Sequence, residues 1–526
     1  MKKLLTSIIV VLSATAHLQA QHTTEPPKLV VGIVIDQLRG DYLNQFYDMF
    51  GEGGFKRLMR EGAYYQDMKF DFPKVDQASA IATLYTGATP WYHGIVGTHR
   101  FDRDKKKGVP SLLDGAYMGN FSDETVSPRN LLVSTLTDEL KIATDGFGSI
   151  YSFAPDYDEA LISAGHAGDG AFWIDNKNRK WATSTFYTGI PSYFDNVNAK
   201  NTVYDRLEST TWTPLNTPAF YKYIPFLQKD FGFNYSFKKS KNNINSFKSS
   251  ALVNEEVNRL ALTFFDHDTF GKRTFPDFLS LTFYAGAFKN KERNNHVVEM
   301  QDLYLRLDKQ LEQLFNRIDA SVGMKNALIF VASTGYYVED EQTPEKLNIP
   351  TGSFFVNRAT ALLNMYLMSA FGQGNWVTGY YNHEIFLNKK LIEEKQLDAG
   401  QFEHKAADFL IQMSGVQDVI TANSLIHNRE NNEVQSYRNG FHRKLSGELL
   451  IELQPGWQES NEDSKIQQPK ESKSAILAPL FFYGNGIKPI RIHRQVKATE
   501  VAPTVAYFLR IRAPSACSDE ILPEFQ

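Results

Sequence analysis

Three apolar runs predict an α/β protein built around a central, mostly parallel sheet flanked by helices. Leu29-Val-Val-Gly-Ile-Val-Ile, Phe278-Leu-Ser-Leu-Thr-Phe283 and Ala327-Leu-Ile-Phe-Val-Ala332 are short and dominated by β-branched, aromatic and small apolar residues. Such runs fit strands covered on both faces. Between the second and third, Leu303, Leu307, Leu311, Leu314 and Ile318 form one stripe of a long amphipathic helix, which faces a core.

The first run is bounded by Pro26-Pro27 and ends in Asp36. Open α/β sheets hold ligands just beyond the carboxyl ends of their strands, so an acid there is a site candidate. The plain alternative is a polar residue that ends the strand and caps a loop.

Compartment is read from the first residues. Met1-Lys-Lys-Leu-Leu is a basic start, Ile8-Ile9-Val10-Val11-Leu12 is an apolar stretch too short to span a bilayer, and Leu18-Gln-Ala20 offers a small residue for cleavage. Residues 1–20 are therefore expected to be a Sec-type signal peptide, making the protein periplasmic or secreted. No later apolar stretch is long enough for a transmembrane segment. Cys517 is the single cysteine, which excludes an internal disulfide and a cysteine-based zinc site. A formal charge of −4 gives no electrostatic case for nucleic acid or an anionic membrane as partner.

Along the chain, Gly53 to Gly62 has helical spacing and a glycine stop, and Ala80 to Gly87 is a helix whose N-terminus faces the same sheet edge as Asp36. Ser127-Pro128 reads as the start of a helix with Leu132, Leu136 and Leu140 on one face. Ser149 to Ala154 is a strand. From Phe172 to Phe275 the pattern turns aromatic, polar and irregular, as in Phe220-Tyr-Lys-Tyr and Phe237-Lys-Lys-Ser-Lys, and suggests an inserted cap. Strand, helix and strand signals from Tyr380 to Leu453 suggest a small α+β unit; Gln458 to Ser474 is a polar loop. The chain closes with strand Leu480 to Tyr483 and helix Glu500 to Leu509. There is no internal repeat, G-x-S-x-G, Walker loop or H-E-x-x-H.

Several segments carry a family resemblance. Val31-Gly-Ile-Val-Ile-Asp36-Gln-Leu-Arg39, Tyr85-Thr-Gly87 with Pro90 and His93-Gly-Ile95, Ala164-Gly-His166, Tyr304-Leu-Arg-Leu-Asp308, Pro479 to Ile487 and Glu500-Val-Ala-Pro-Thr504 are similar to the alkaline phosphatase superfamily. Phe441-His442, Ser446-Gly447 and Gln454-Pro-Gly-Trp457 extend the match over nearly the whole mature chain. The branch resembled is that of the secreted phosphate-irrepressible bacterial alkaline phosphatases, related to nucleotide pyrophosphatase/phosphodiesterases. The resemblance implies an alkaline-phosphatase-like sandwich. Its core would comprise residues 21–171, 276–379 and, after a loop, the end of 458–526, interrupted by a cap at 172–275 and the α+β unit at 380–457.

It also implies a site: two zinc ions on three aspartates and three histidines, with a threonine or serine nucleophile between them and the metals acting as Lewis acids. Carried over residue by residue, that site is nearly gone. Asp36 is kept. The nucleophile position falls on Gln77, the D-x-x-x-H pair on Ala287 and Lys291, the Asp-His turn on Ser333 and Thr334, and the last histidine on Leu477. Of the phosphate-contacting groups, an asparagine becomes Thr98, and a lysine and an arginine become Asp156 and Asp158. Zinc needs several spaced donors, so both ions are expected to be absent. Ser79 and Thr83 lie near Gln77 but have nothing to activate them. His93 and His166 are expected to bond backbone within glycine turns, and His267 and His296 to sit in solvated loops.

A buried aspartate stripped of metal must be compensated, so Lys291 or Arg39 is expected to neutralise Asp36. The function expected is that of a degenerate phosphatase-fold protein that binds a partner or a small ligand in the cell envelope. The alternative is a metal-dependent phosphomonoesterase or phosphodiesterase.

Overall fold

The computed structural model describes residues 25–200, 202–222, 232–238, 243–267, 269–289, 296–339, 352–427, 432–460 and 472–526. The leader expected at 1–20 and Lys291 lie outside them, as does most of the polar loop at 458–474. No helix among the described residues is long and apolar enough to cross a membrane.

The three apolar runs are adjacent central strands. β1 (Leu29–Asp36) lies in a sheet with β2 (Ala63–Lys69), β3 (Ile150–Ala154), β4 (Gly170–Ile174), β5 (Trp181–Ser184), β6 (Asp277–Tyr284), β7 (Ala327–Ser333) and β8 (Ala478–Gly484), in the order β2-β8-β7-β1-β6-β3-β4-β5. β1 is parallel to both β6 and β7, and β3 continues the parallel set. β8 and β5 run antiparallel to their inner neighbours. β4 and β5 come from the stretch read as a cap, so the sheet extends past residue 171.

Alternation along β1 divides the interior in two. Leu29, Val31, Ile33 and Ile35 face one core, built with helices α3 (Ala251–His267) and α4 (Val297–Val322). Val30 and Val34 face the other, under α1 (Gln77–Thr86), α2 (Tyr157–Ala164) and α5 (Val501–Leu509). The stripe Leu303, Leu307, Leu311, Leu314 and Ile318 is buried, as its spacing predicts. Each such side chain contributes roughly 1.5–3 kcal/mol by leaving water. Gly32 is fixed by packing: a Cβ there would lie 2.6 Å from both the Phe330 ring and the Tyr85 hydroxyl.

The helix expected from Ser127 through Leu140 is instead two elements. Ser127 caps a single 3₁₀ turn, Pro128–Asn130. An α-helix, Leu136–Ala143, then starts at a second cap, where the Thr135 hydroxyl accepts from Asp138 N (3.1 Å) and the Asp138 carboxylate from Thr135 N (2.9 Å). Leu132 is left 57 % exposed while Leu136 and Leu140 are buried.

The aromatic insertion packs its rings inward. Trp212 Nε1 and the Tyr221 hydroxyl both donate to the buried Asp302 of α4, each at 2.7 Å. The α+β unit has a four-stranded antiparallel sheet, Val377–Tyr381, Glu384–Leu387, Leu449–Leu453 and Val416–Thr421, and its own core under helices Val356–Phe371 and Ala399–Leu410. Because Leu363 and Leu367 belong to that core, the unit includes residues before 380.

Candidate functional site

Asp36 sits where the sequence places it, at the carboxyl end of β1, 2 % exposed and with both oxygens engaged. The Thr334 hydroxyl donates to Oδ1 at 2.9 Å, and the Gln37 side-chain amide donates to Oδ2 at 3.1 Å. Thr334 Oγ1 in turn accepts from Gln37 N at 2.8 Å, and Gln37 Oε1 accepts from Val338 N at 3.0 Å. Gln37 adopts a left-handed backbone, φ 61°, which turns its peptide toward Thr334. Burial pushes the Asp36 carboxyl above its ordinary range; bonds from Gln37, Thr334 and Tyr336 and the charge of Lys289 act in the opposite direction.

This corrects one expectation. Arg39 does not neutralise Asp36: its guanidinium pairs with Asp41 (Nη2 to Oδ2, 2.6 Å) and stacks over Tyr42 and Tyr337, at 4.3 and 4.9 Å from the ring centroids. A neutral hydroxyl and an amide reach Asp36 with little desolvation cost, whereas a guanidinium would have to shed more water. Among the described residues, the lysine whose charge acts on Asp36 is Lys289.

The N-terminus of α1 is already filled by an acid. Asp76 caps the helix: Oδ1 accepts from Ser79 N (3.0 Å) and from the Ser79 hydroxyl (2.8 Å). Oδ2 accepts from Thr98 N at 2.7 Å. The backbone donors that would favour a bound anion therefore hold this protein's own carboxylate. Gln77 opens the helix, half-buried, and its amide offers no nucleophile. Ser79 is committed to the cap, and the Thr83 hydroxyl donates to Ser79 O at 2.9 Å.

A second acidic group stands at the start of α2. Asp156 is the N-cap residue and its Oδ1 takes the Lys248 ammonium at 2.6 Å; Lys248 reaches in from the insertion and is 8 % exposed. Asp158 is buried, and its Oδ1 has no hydrogen-bond partner among the described residues. Burial first, then the charges of Asp156, Asp76 and Glu124, push the Asp158 carboxyl well up. Glu159 is also well up, through burial and the charges of Asp156 and Asp36. The electrostatic couplings show that Asp36, Asp76, Asp156, Asp158 and Glu159 share one edge of the sheet.

Of the remaining positions, Ser333 donates to Leu38 O at 2.7 Å and Thr334 bonds Asp36, so the Ser333-Thr334 turn is part of the network. Ala287 contributes its carbonyl, which accepts from the Tyr284 hydroxyl at 2.7 Å beside the end of β6. Leu477 turns its side chain outward, 52 % exposed, while its carbonyl accepts from Gly40 N at 2.9 Å. His93 is neutral: burial, then the charge of His442, pushes it down to about 3, and Nδ1 accepts from Ile95 N at 3.1 Å. His166 lies 2.9 Å from both Asp138 Oδ2 and Leu131 O, so it bridges a carboxylate as well as backbone. His267 is exposed, as expected, but ends α3 and stacks on Tyr193; His296, 11 % exposed at the start of α4, is not the solvated loop residue expected.

Asp76, Glu159, Lys248 and Tyr336 escaped the sequence reading. Asp76-x-x-Ser79 and Asp156-x-x-Glu159 are capping-box spacings and were legible in principle. Nothing local marks Lys248 or Tyr336.

Zinc fits this edge poorly. Four-coordinate zinc takes N, O or S donors, and of the implied ligand positions named above among the described residues only Asp36 carries a carboxylate or imidazole, with both its oxygens bonded to side chains. Among the described residues, no group of three or more His, Cys, Asp or Glu is arranged to hold a metal ion.

A helix-flanked, mostly parallel sheet with a buried aspartate ending its central strand, beside a capped helix N-terminus, defines the alkaline-phosphatase class of fold. The chain belongs to the type I phosphodiesterase / nucleotide pyrophosphatase family, whose model matches residues 30–474. It is 27 % identical to alkaline phosphatase PafA of Elizabethkingia meningoseptica over 99 % of this chain and 98 % of that one. It is 27 % identical to alkaline phosphatase PhoV of Synechococcus elongatus, over 95 % and 93 %. The crystal structure of wild-type PafA superimposes with a TM-score of 0.80 at 26 % identity, covering 96 % of this chain and 99 % of that chain.

Proposed function

We propose that this chain is a catalytically inactive member of its family that acts by binding, exported to the cell envelope, where it engages a protein partner or a small ligand. The observation that carries this reading is the closed network at Asp36. A hydroxyl and an amide occupy the carboxylate oxygens that a metal would need. The surroundings support it: Asp76 fills the anion-binding end of α1, and Asp156, Asp158 and Glu159 put carboxyl groups rather than cations at the start of α2. In this reading neither zinc nor another cofactor is required, and the edge retains a role only as a surface or pocket for neutral or cationic groups.

The test pairs metal analysis with turnover. The full exported chain, purified without chelator and then incubated with excess zinc, is assayed against an aryl phosphate and an aryl phosphodiester. Substoichiometric zinc and a rate equal to that of the Asp36→Ala variant are expected. Two zinc ions per chain, with turnover abolished by Asp36→Ala, would instead establish a working phosphoesterase, as the names of the relatives suggest.

A further inference from the structure

Away from the Asp36 edge, a cleft of about 250 Å³ opens between β5, the segment after it and α3. Its apolar surface is aromatic. Trp181 of β5 is 1 % exposed and forms part of the wall, Leu260 of α3 adds an aliphatic patch, and the Tyr193 and His267 rings stack face to face, 5.0 Å apart and 29° from parallel. That volume lies just under the roughly 300 Å³ at which drug-sized sites begin, which suits a single ring system.

The polar lining is cationic. Lys200, Arg206 and Arg259 all line the cleft, which has no acid in its wall. Arg206 is clamped by both oxygens of Glu256, a side chain 5 % exposed, and the same carboxylate faces Arg259 at 3.5 Å. One buried carboxylate thus serves two guanidinium groups. The adjoining Glu255 is taken by Arg306 at 2.9 Å, and Lys200 has no acid within 4 Å among the described residues. The cleft therefore carries excess positive charge beside stacked rings. Arg206 is fixed by its clamp, while Arg259 is half-exposed and shares Glu256 over a longer distance.

We infer that this cleft binds a small aromatic anion, its ring packed against the Tyr193 and His267 pair and its sulfonate, carboxylate or phosphate held by Lys200 and Arg259. Apolar contact supplies most of the affinity and the charge selects the ligand class, as in pockets that set a few polar groups in an aromatic lining. This site is independent of the reading given for Asp36.

Titration calorimetry of the full chain with 2-naphthalenesulfonate tests the proposal. One ligand per chain is expected, with neutral 2-naphthol and ring-free methanesulfonate each weaker by about tenfold or more, a difference of about 1.4 kcal/mol. Lys200→Ala and Arg259→Ala should each weaken the sulfonate severalfold without weakening 2-naphthol, and Arg259→Lys should restore part of the loss. Leu260→Trp should fill the cleft and abolish binding. Absence of saturable binding, equal affinity for 2-naphthol, or a Lys200→Glu, Arg259→Glu double variant that binds the sulfonate as well as the parent would overturn it. The double variant decides the matter even if Leu260→Trp fails to fold.

Discussion

The sheet edge around Asp36 and the cleft beside Trp181 both concentrate ionisable groups, yet they resolve the burial of charge in opposite ways. At the edge the acids outnumber the cations, and the fold answers with neutral donors: Thr334, Gln37 and Tyr336 on Asp36, backbone amides on Asp76. In the cleft the cations outnumber the acids: Lys200 and Arg259 stay toward solvent, and the largely buried Arg206 rests on the buried Glu256. A carboxylate that is buried needs specific hydrogen bonds or it takes up a proton, whereas a guanidinium at the surface needs neither. The first region is therefore stiff and sensitive to pH; the second is tolerant and open to ligand.

The sharpest way to break the contrast is at Thr334. Its hydroxyl donates to Asp36 and accepts from Gln37 N, so Thr334→Val takes one donor from Asp36 Oδ1 and the acceptor from Gln37 N. Urea unfolding at pH 7 should show a loss of about 2–3 kcal/mol, the usual cost of leaving buried polar groups unsatisfied. A loss under about 1 kcal/mol would mean that Tyr336 and Lys289 suffice. Next is Lys248→Met, which removes the cation from Asp156. A loss of about 2 kcal/mol is expected at pH 7, read as a shift in the urea midpoint.

The pH dependence has a definite sign. Asp36, Asp158 and Glu159 all have their carboxyls raised by burial, so the folded chain holds protons that the unfolded chain has already released. Their contribution to stability is full below the ordinary carboxylate range and is lost as pH rises through the folded values. Asp158→Asn keeps the shape and removes the charge from an oxygen that has no partner among the described residues. It should raise stability by about 1–2 kcal/mol at pH 8, with a gain that fades toward pH 5, read as a shift in the urea midpoint. The smallest effect is expected in the cleft: Lys200→Ala should change stability by less than about 0.5 kcal/mol at any pH. A larger change would show that the positive cleft is part of the fold's support rather than a free surface.

Much of the architecture was legible because it rests on local pattern. The all-apolar β1 and β7 runs, the Leu303 to Ile318 stripe and the glycine closing α1 each carry their own periodicity or stop. The helix from Ser127 was misread because two capping signals lie eight residues apart, and the later box at Thr135 and Asp138 starts the α-helix. At the site, the resemblance assigns the nucleophile position to Gln77 and ligand positions to Ala287, Ser333, Thr334 and Leu477, and their residue types are plain in the sequence. What took the ligands' place is not. Thr334 lies 298 residues from Asp36, and Lys248 lies 92 from Asp156.

The sequence by itself determined that Asp36 would end a doubly covered strand, because a short run rich in β-branched residues, bounded by Pro26-Pro27, fits a strand hidden on both faces better than a helix. Only the tertiary structure decided what state that aspartate is in. Charge compensation acts over a few ångströms through whichever donors the fold brings together, and neither the Thr334 hydroxyl nor the Lys289 ammonium is near Asp36 in the chain. The same holds for the cleft: Lys200 and Arg259 become one positive surface only when the insertion folds back against α3.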